Sequence, residues 1–291
     1  MISSFNYKGF RLQNNFIFLN AMKKFDFKTK TLFTILFYLF IQLWKSSLFA
    51  ILFFICFAFG KYITSFGLIL GDFMFICVIL IQTILIISKY ESRTECKVIL
   101  IYHLLGFGME AFKTHPAIAS RSYQYVGFFS LLWVPLYSGF MYSAIGSFLF
   151  QSIHRLKLKF INFPPFHYSI PIVILIYINF FSHHFVSDIR YFLFLLILGV
   201  AYKTYSYFEI DKEIYRMHSL LAIFLASLCI WIAENIATLL WARVYPNQQL
   251  WRHIVSFHKI GSRFLLFTLS TVIVSYVMRD EINNKDKKIT L

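Results

Sequence analysis

Between Asn179 and Arg190 the chain sets two adjacent histidines, His183 and His184, beside Asp188 and Arg190, in a sequence otherwise dominated by Phe, Ile and Leu. Imidazole and carboxylate suit zinc or iron, so His183, His184 and Asp188 form a candidate site for a divalent metal. If this turn is helical, His184 and Asp188, four apart, share a face, and His183 points about 100° away. A further ligand then comes from elsewhere, with Glu110, His115 and Glu234 as the available donors. The competing reading is a His184–Asp188 hydrogen bond at a helix end, with Arg190 as counter-ion. The spacing matches no strong zinc signature, and HExxH, GxSxG, the P-loop and GxGxxG are all missing.

Glu110 and Glu234 sit well inside apolar runs. Acids at such positions are costly and mark sites, and here they are candidates for general acid and base, with His184 and Asp188 as relay. His115, Tyr142, Asn235 and Arg190 are the polar groups placed to touch a substrate. Each has a plainer reading as well. Glu110 can raise its carboxylate into interfacial water, and Asn235 can bond a neighbouring helix. Gly106 and Gly108, between His103 and Glu110, and the small residues from Ser138 to Ser147 read chiefly as surfaces for close helix packing.

The elements that position these groups follow from composition. With 59% hydrophobic and 14% charged residues, the chain is not a soluble globular one. Its apolar residues gather into runs of about 18 to 25, the length that crosses a bilayer as a helix. The expected fold is all-α, a polytopic transmembrane bundle of about eight spans: 46–63, 67–88, 97–113, 133–152, 168–185, 189–208, 217–241 and 255–278. Residues 1–44 read as a basic cytoplasmic tail plus an interfacial helix, 45–278 as the transmembrane domain, and 279–291 as a charged cytoplasmic tail. The net charge of +15 reflects basic cytoplasmic loops, and no basic stripe interleaved with aromatics calls for nucleic acid. Cys56, Cys77, Cys96 and Cys229 form no CxxC pair.

Along these connections, twenty of the 28 Lys and Arg fall on the side of the amino terminus and eight on the other. Rich and poor segments alternate except at the last outer loop, so both termini are expected in the cytoplasm of a plasma-membrane protein. That orientation puts Glu110, His115, His183, His184, Asp188, Glu234 and Asn235 in the outer half or just above it. The inner half offers only scattered histidines, His103, His154, His167 and His218. The expected function is therefore an intramembrane enzyme acting on a lipid or isoprenoid near the outer leaflet, with the bilayer itself as partner. A carrier of a small solute and a non-catalytic scaffold are the alternatives.

Several stretches carry a resemblance: Val134 to Tyr142, Tyr177 to Arg190, Tyr215-Arg216-Met217, Trp231 to Thr238, Tyr245 to Gln248 and Lys259 to Ser262. Glu110-Ala111-Phe112-Lys113-Thr114-His115 fits a Glu-x-Phe-Lys-x-His motif. In combination these resemble the YoaT-like family of bacterial integral membrane proteins of unknown function. The likeness runs from about residue 45 to 278 and implies architecture, not activity. The loop from Ala117 to Tyr123 departs by holding no tryptophan, and His218 stands where proline is expected. The glutamate and Val-Pro-Leu followed by a tyrosine are also loosely similar to membrane carotenoid hydratases, and no residue role is carried across from them.

Overall fold

Each apolar run outlined above contains a helix. The computed structural model describes residues 32–118, 123, 126–210, 212–239 and 254–279. The amino-terminal tail, residues 280–291 of the carboxyl-terminal tail, Trp241 and Trp251 lie outside the described residues. In order the chain forms α1 (Leu32–Ser46), α2 (Leu48–Ile63), α3 (Leu70–Ile87), α4 (Arg93–Thr114), β1 (Ser130–Leu131), β2 (Val134–Pro135) and α5 (Ser138–Arg155). Then follow β3 (Lys159–Ile161), α6 (Phe166–Ser182), α7 (Arg190–Ala201), β4 (Tyr205–Ile210), β5 (Glu213–His218), α8 (Ser219–Leu239) and α9 (His258–Val277).

Three of these helices, α3, α8 and α9, are long and apolar enough to cross a membrane. Helices α1 and α2 bend by 70° at Ser47 and together count as a fourth candidate, a broken span or a re-entrant loop. Helices α6 and α7 are apolar but shorter. On α3 the residues Ile76, Leu80, Ile84 and Ile87, spaced three or four apart, are all exposed. Such an exposed apolar stripe fits lipid as its solvent.

Two features correct the all-α expectation. The run drawn as a span over 189–208 is helical only to Ala201, and Tyr205–Ile210 instead forms the central strand of a three-stranded antiparallel sheet, β3-β4-β5. Its backbone is paired on both sides, with Tyr207 opposite Lys159 and Arg216. Buried and part-exposed positions vary irregularly along β4, so its apolar content looks like a span continuing. At the other end β1 and β2 form a short ribbon before α5.

The centre of the bundle is α5. Thirteen of its residues are buried, among them Gly139, Ser143, Gly146 and Ser147. Small side chains let α4 approach closely. A β-carbon on Gly139 would meet His103 at 2.6 Å and one on Gly146 would meet Tyr102 at 2.8 Å. One apolar cluster joins α4, α5, α6, α7, α8 and α9, and a second joins α2, α3 and the first turns of α5.

Connections gather at two ends. At one, Tyr90 donates to the carbonyl of Lys45 at 2.6 Å, the Arg155 guanidinium lies 5.1 Å from the Tyr90 ring, and Lys157 pairs with Glu209 of the sheet at 2.7 Å. At the other, Asp72 accepts from the N–H groups of Phe128 and Phe129 at 2.9 and 2.7 Å. Val255 N donates to Asn235 at 2.9 Å, and Arg190 reaches the carbonyl of His258 at 3.5 Å.

Candidate functional site

Glu110 lies four residues from the end of α4 and is 0% exposed. Its carboxylate accepts from the Tyr142 hydroxyl of α5 at 2.5 Å and from the Tyr123 hydroxyl at 2.8 Å. Gly106, one turn earlier on α4, makes this possible, because a side chain there would overlap the Tyr142 ring. Glu110 is therefore buried and not raised into interfacial water, and among the groups that meet it are two phenols, one from the bundle and one from the loop. Ser138, a turn before Tyr142 on α5, is also 0% exposed, and its hydroxyl meets no partner among the described residues. A buried carboxyl with phenolic donors can give or take a proton at an apolar substrate.

His103, a face-mate of Glu110 two turns back, packs against Phe140 with ring centres 4.4 Å apart. Its Nδ1 is buried with no partner among the described residues. It stands on the wall of an open groove of about 390 Å³, shared with Phe75, Ile79, Gln82, Leu100 and Leu136 among others. Glu110 does not line this groove.

The histidine turn is built differently from the expectation. Helix α6 ends at Ser182, so His184 and Asp188 do not share a helix face. His183 Nδ1 sits 2.8 Å from the carbonyl of Asn179, and a carbonyl only accepts, so that nitrogen carries the proton. Asp188 is used up locally. It accepts from Asn179 Nδ2 at 3.1 Å and Arg190 N at 2.9 Å, and its other oxygen pairs with the Arg190 guanidinium at 2.6 Å. Burial alone would raise its pKa, but those two hydrogen bonds and the Arg190 charge hold it below the usual carboxylate value. His184 Nε2 is buried with no hydrogen-bond partner among the described residues. Burial first, then the adjoining His183 ring and the nearby Lys113 and Lys259, lower its pKa and favour the neutral ring.

The turn meets α4 through Phe112, whose ring lies 5.6 Å from His184. Positions 110 and 112 are about 200° apart around a helix, so the histidines and the Glu110 carboxylate face different sides of α4. Among the described residues no three His, Cys, Asp or Glu side chains gather as a metal would require. His115 is exposed at the end of α4, its ring 5.7 Å from that of Trp133.

Glu234 is 2% exposed and is held by Arg263 of α9 through two contacts, 2.6 Å from Nε and 2.5 Å from an Nη. Asn235 bonds the Trp231 carbonyl at 2.8 Å and Val255 N, tying the end of α8 to the approach to α9. Arg263 is thus a helix residue paired inside the bundle and not a loop charge.

The opposite end of α4 holds what the sequence reading passed over. Glu95 is buried and accepts from Ser147 at 2.8 Å and from Gln151 at 2.6 Å. Glu91 is buried beside it and accepts from Gln82. Ser92-x-x-Glu95 has the form of a capping box, and Ser92 does cap α4 by accepting from Glu95 N at 3.1 Å. The Glu95 side chain, however, turns inward to α5. Only the burial of a first-turn acid, which a sequence does not display, separates this from an ordinary cap.

Comparison with known proteins agrees with the motifs. Residues 34–271 match a family described as a protein of unknown function, DUF817. An uncharacterized protein, YoaT, of Bacillus subtilis (strain 168) is 41% identical over 204 residues, covering 70% of this chain and 76% of the relative. No solved structure matches. The chain belongs to the DUF817 family, the YoaT-like proteins of unknown function.

Proposed function

We propose that this protein is a multi-pass membrane enzyme that uses Glu110 as the acid or base of a reaction on an apolar lipid or isoprenoid. The observation that carries the reading is the Glu110 site itself, a fully buried carboxyl receiving hydroxyl hydrogen bonds from Tyr142 and Tyr123. Tyr123, from the connection after α4, brings the second hydroxyl to the carboxyl. Glu234 is not the acid or base in this scheme; its two contacts with Arg263 brace α8 against α9. His183, His184 and Asp188 order the neighbouring turn, with His184 the group left to meet a ligand.

The proposed topology has eight spans, with both termini in the cytoplasm of the plasma membrane. Its support is the agreement of sides. The connections after α5 and after α7 share one sheet, as two cytoplasmic loops would. Asp72 binds the connection after α4, as two outer segments would. In this arrangement residues 1–44 and 279–291 flank the membrane domain on the inner side.

The test compares total lipid extracts from cells with and without the protein, and with Glu110→Gln and Tyr142→Phe. A lipid species that changes with the wild type, and not with Glu110→Gln present at equal membrane level, supports the enzyme. Identical extracts overturn it. The buried Glu95 cluster at the inner end favours a second reading, a proton-coupled carrier, because such a device needs titratable groups at both faces. Proton flux into vesicles holding only this protein distinguishes that reading.

A further inference from the structure

Residues 88–92 turn the chain from α3 into α4 at the sheet-bearing end, and Glu91 in that turn is 5% exposed. Gln82 Nε2 donates to Glu91 Oε2. The oxygens left over on the same two groups, Glu91 Oε1 and Gln82 Oε1, are both buried and both lack a partner among the described residues. Two acceptors cannot satisfy one another. Turning the amide over would set its oxygen against Glu91 Oε2, the atom its nitrogen now serves, so it does not remove the conflict. A single proton on Glu91 Oε1 resolves both vacancies at once: Oε1–H donates to Gln82 Oε1, and the acid and amide close a ring of two hydrogen bonds.

The surroundings agree. Tyr90 and Cys96 lie within reach of the Glu91 charge, and Glu95, four residues on, is the acid that acts on Glu91. Arg155 of α5 lies on the Tyr90 ring at 5.1 Å, and Lys45 offers Tyr90 only its carbonyl. Burial, then the Glu95 charge, push Glu91 up to about 8, with the Gln82 hydrogen bond pulling the other way.

We propose that Glu91 and Gln82 form a proton-binding site at the inner end of the α4–α5 seam, in which Glu91 rests protonated and paired acid-to-amide with Gln82. Loss of the proton leaves two buried acceptors without a donor and sets a second negative charge beside Glu95. The α3–α4 turn then loosens from α3. This site is built independently of Glu110 and stands whether or not that carboxyl does chemistry.

Infrared titration of the purified full-length protein in lipid discs tests it. A component of the protonated-carboxyl carbonyl band is expected to bleach with a midpoint near 8, above the Glu95 step near 7, and that component should be missing from Glu91→Gln. Gln82→Leu, which removes the amide, should move that midpoint. Wild-type and Glu91→Gln spectra that coincide throughout the titration would overturn the proposal. So would a midpoint at the ordinary carboxyl value of 4.5. The linkage sign gives a second readout. A carboxyl whose folded pKa lies above its unfolded one adds stability that is complete below 4.5 and lost as pH rises through about 8. Thermal midpoints of the wild type should therefore fall across that interval. Those of Glu91→Gln should fall less, since an amide–amide pair keeps both hydrogen bonds at every pH.

Discussion

Gly106 and Tyr142 touch across the α4–α5 seam so closely that a β-carbon on Gly106 would lie 2.4 Å from the tyrosine ring. That contact sets the reach of the phenol to Glu110, one turn further along α4. Gly106→Ala should therefore act on the site as well as on packing. Inserting a methyl group into such a contact costs about 1–3 kcal/mol. The expected result is a lower melting temperature in detergent. Because the two side chains meet, the loss in the Gly106→Ala/Tyr142→Phe double variant should differ from the sum of the single losses.

The Glu234–Arg263 pair makes a separate claim about stability. Arg263→Met leaves Glu234 buried with its cation removed, a change that costs about 3–5 kcal/mol where such pairs are broken. Glu234→Gln combined with Arg263→Met removes both charges and should recover most of the lost melting temperature. If the single and double variants melt alike, the pair is not what joins α8 to α9.

Asp72 anchors the far part of the loop that also brings Tyr123 to Glu110. It accepts two backbone N–H bonds, and Gly127, at φ +77°, lets the chain pass, because a β-carbon there would meet the Asp72 carboxylate at 2.5 Å. Hydrogen bonds to a charged acceptor contribute about 1.5–3 kcal/mol each. Asp72→Ala should free the loop, seen as faster cleavage within residues 114–132 by a protease added to right-side-out vesicles. An unchanged cleavage rate would show that the loop is held elsewhere.

Sidedness is testable by single cysteines in a chain whose own four are replaced. Ser187→Cys, in the turn between α6 and α7, should react with an impermeant maleimide added to intact cells. Lys212→Cys, in the hairpin between β4 and β5, should react only after the membrane is opened. The reverse pattern would invert the topology, and equal reaction would contradict it.

The order of helices was legible because long apolar runs broken by basic patches have few other solutions. Glu110 and Tyr142 were legible as polar groups set deep in such runs. The β4–β5 hairpin was not, because Tyr205, Tyr207 and Phe208 look like the apolar run of α7 resuming after Lys203 and Thr204. Tyr123 was hidden by its position in a loop, thirteen residues from the carboxylate it binds. Arg263 read as a loop charge because its partner is 29 residues away on another helix. Glu91 and Glu95 do not stand out in the sequence, because a helix start is where negative charge is ordinarily favourable.

Purified protein in vesicles of a native lipid extract, followed by mass spectrometry of the lipids with time, tests the role of Glu110 most directly. The account predicts that one apolar lipid or isoprenoid is consumed and a product appears. It predicts that Glu110→Gln abolishes turnover while remaining folded, and that Tyr142→Phe slows it. Equal turnover by the wild type and Glu110→Gln, or none by either, would contradict it.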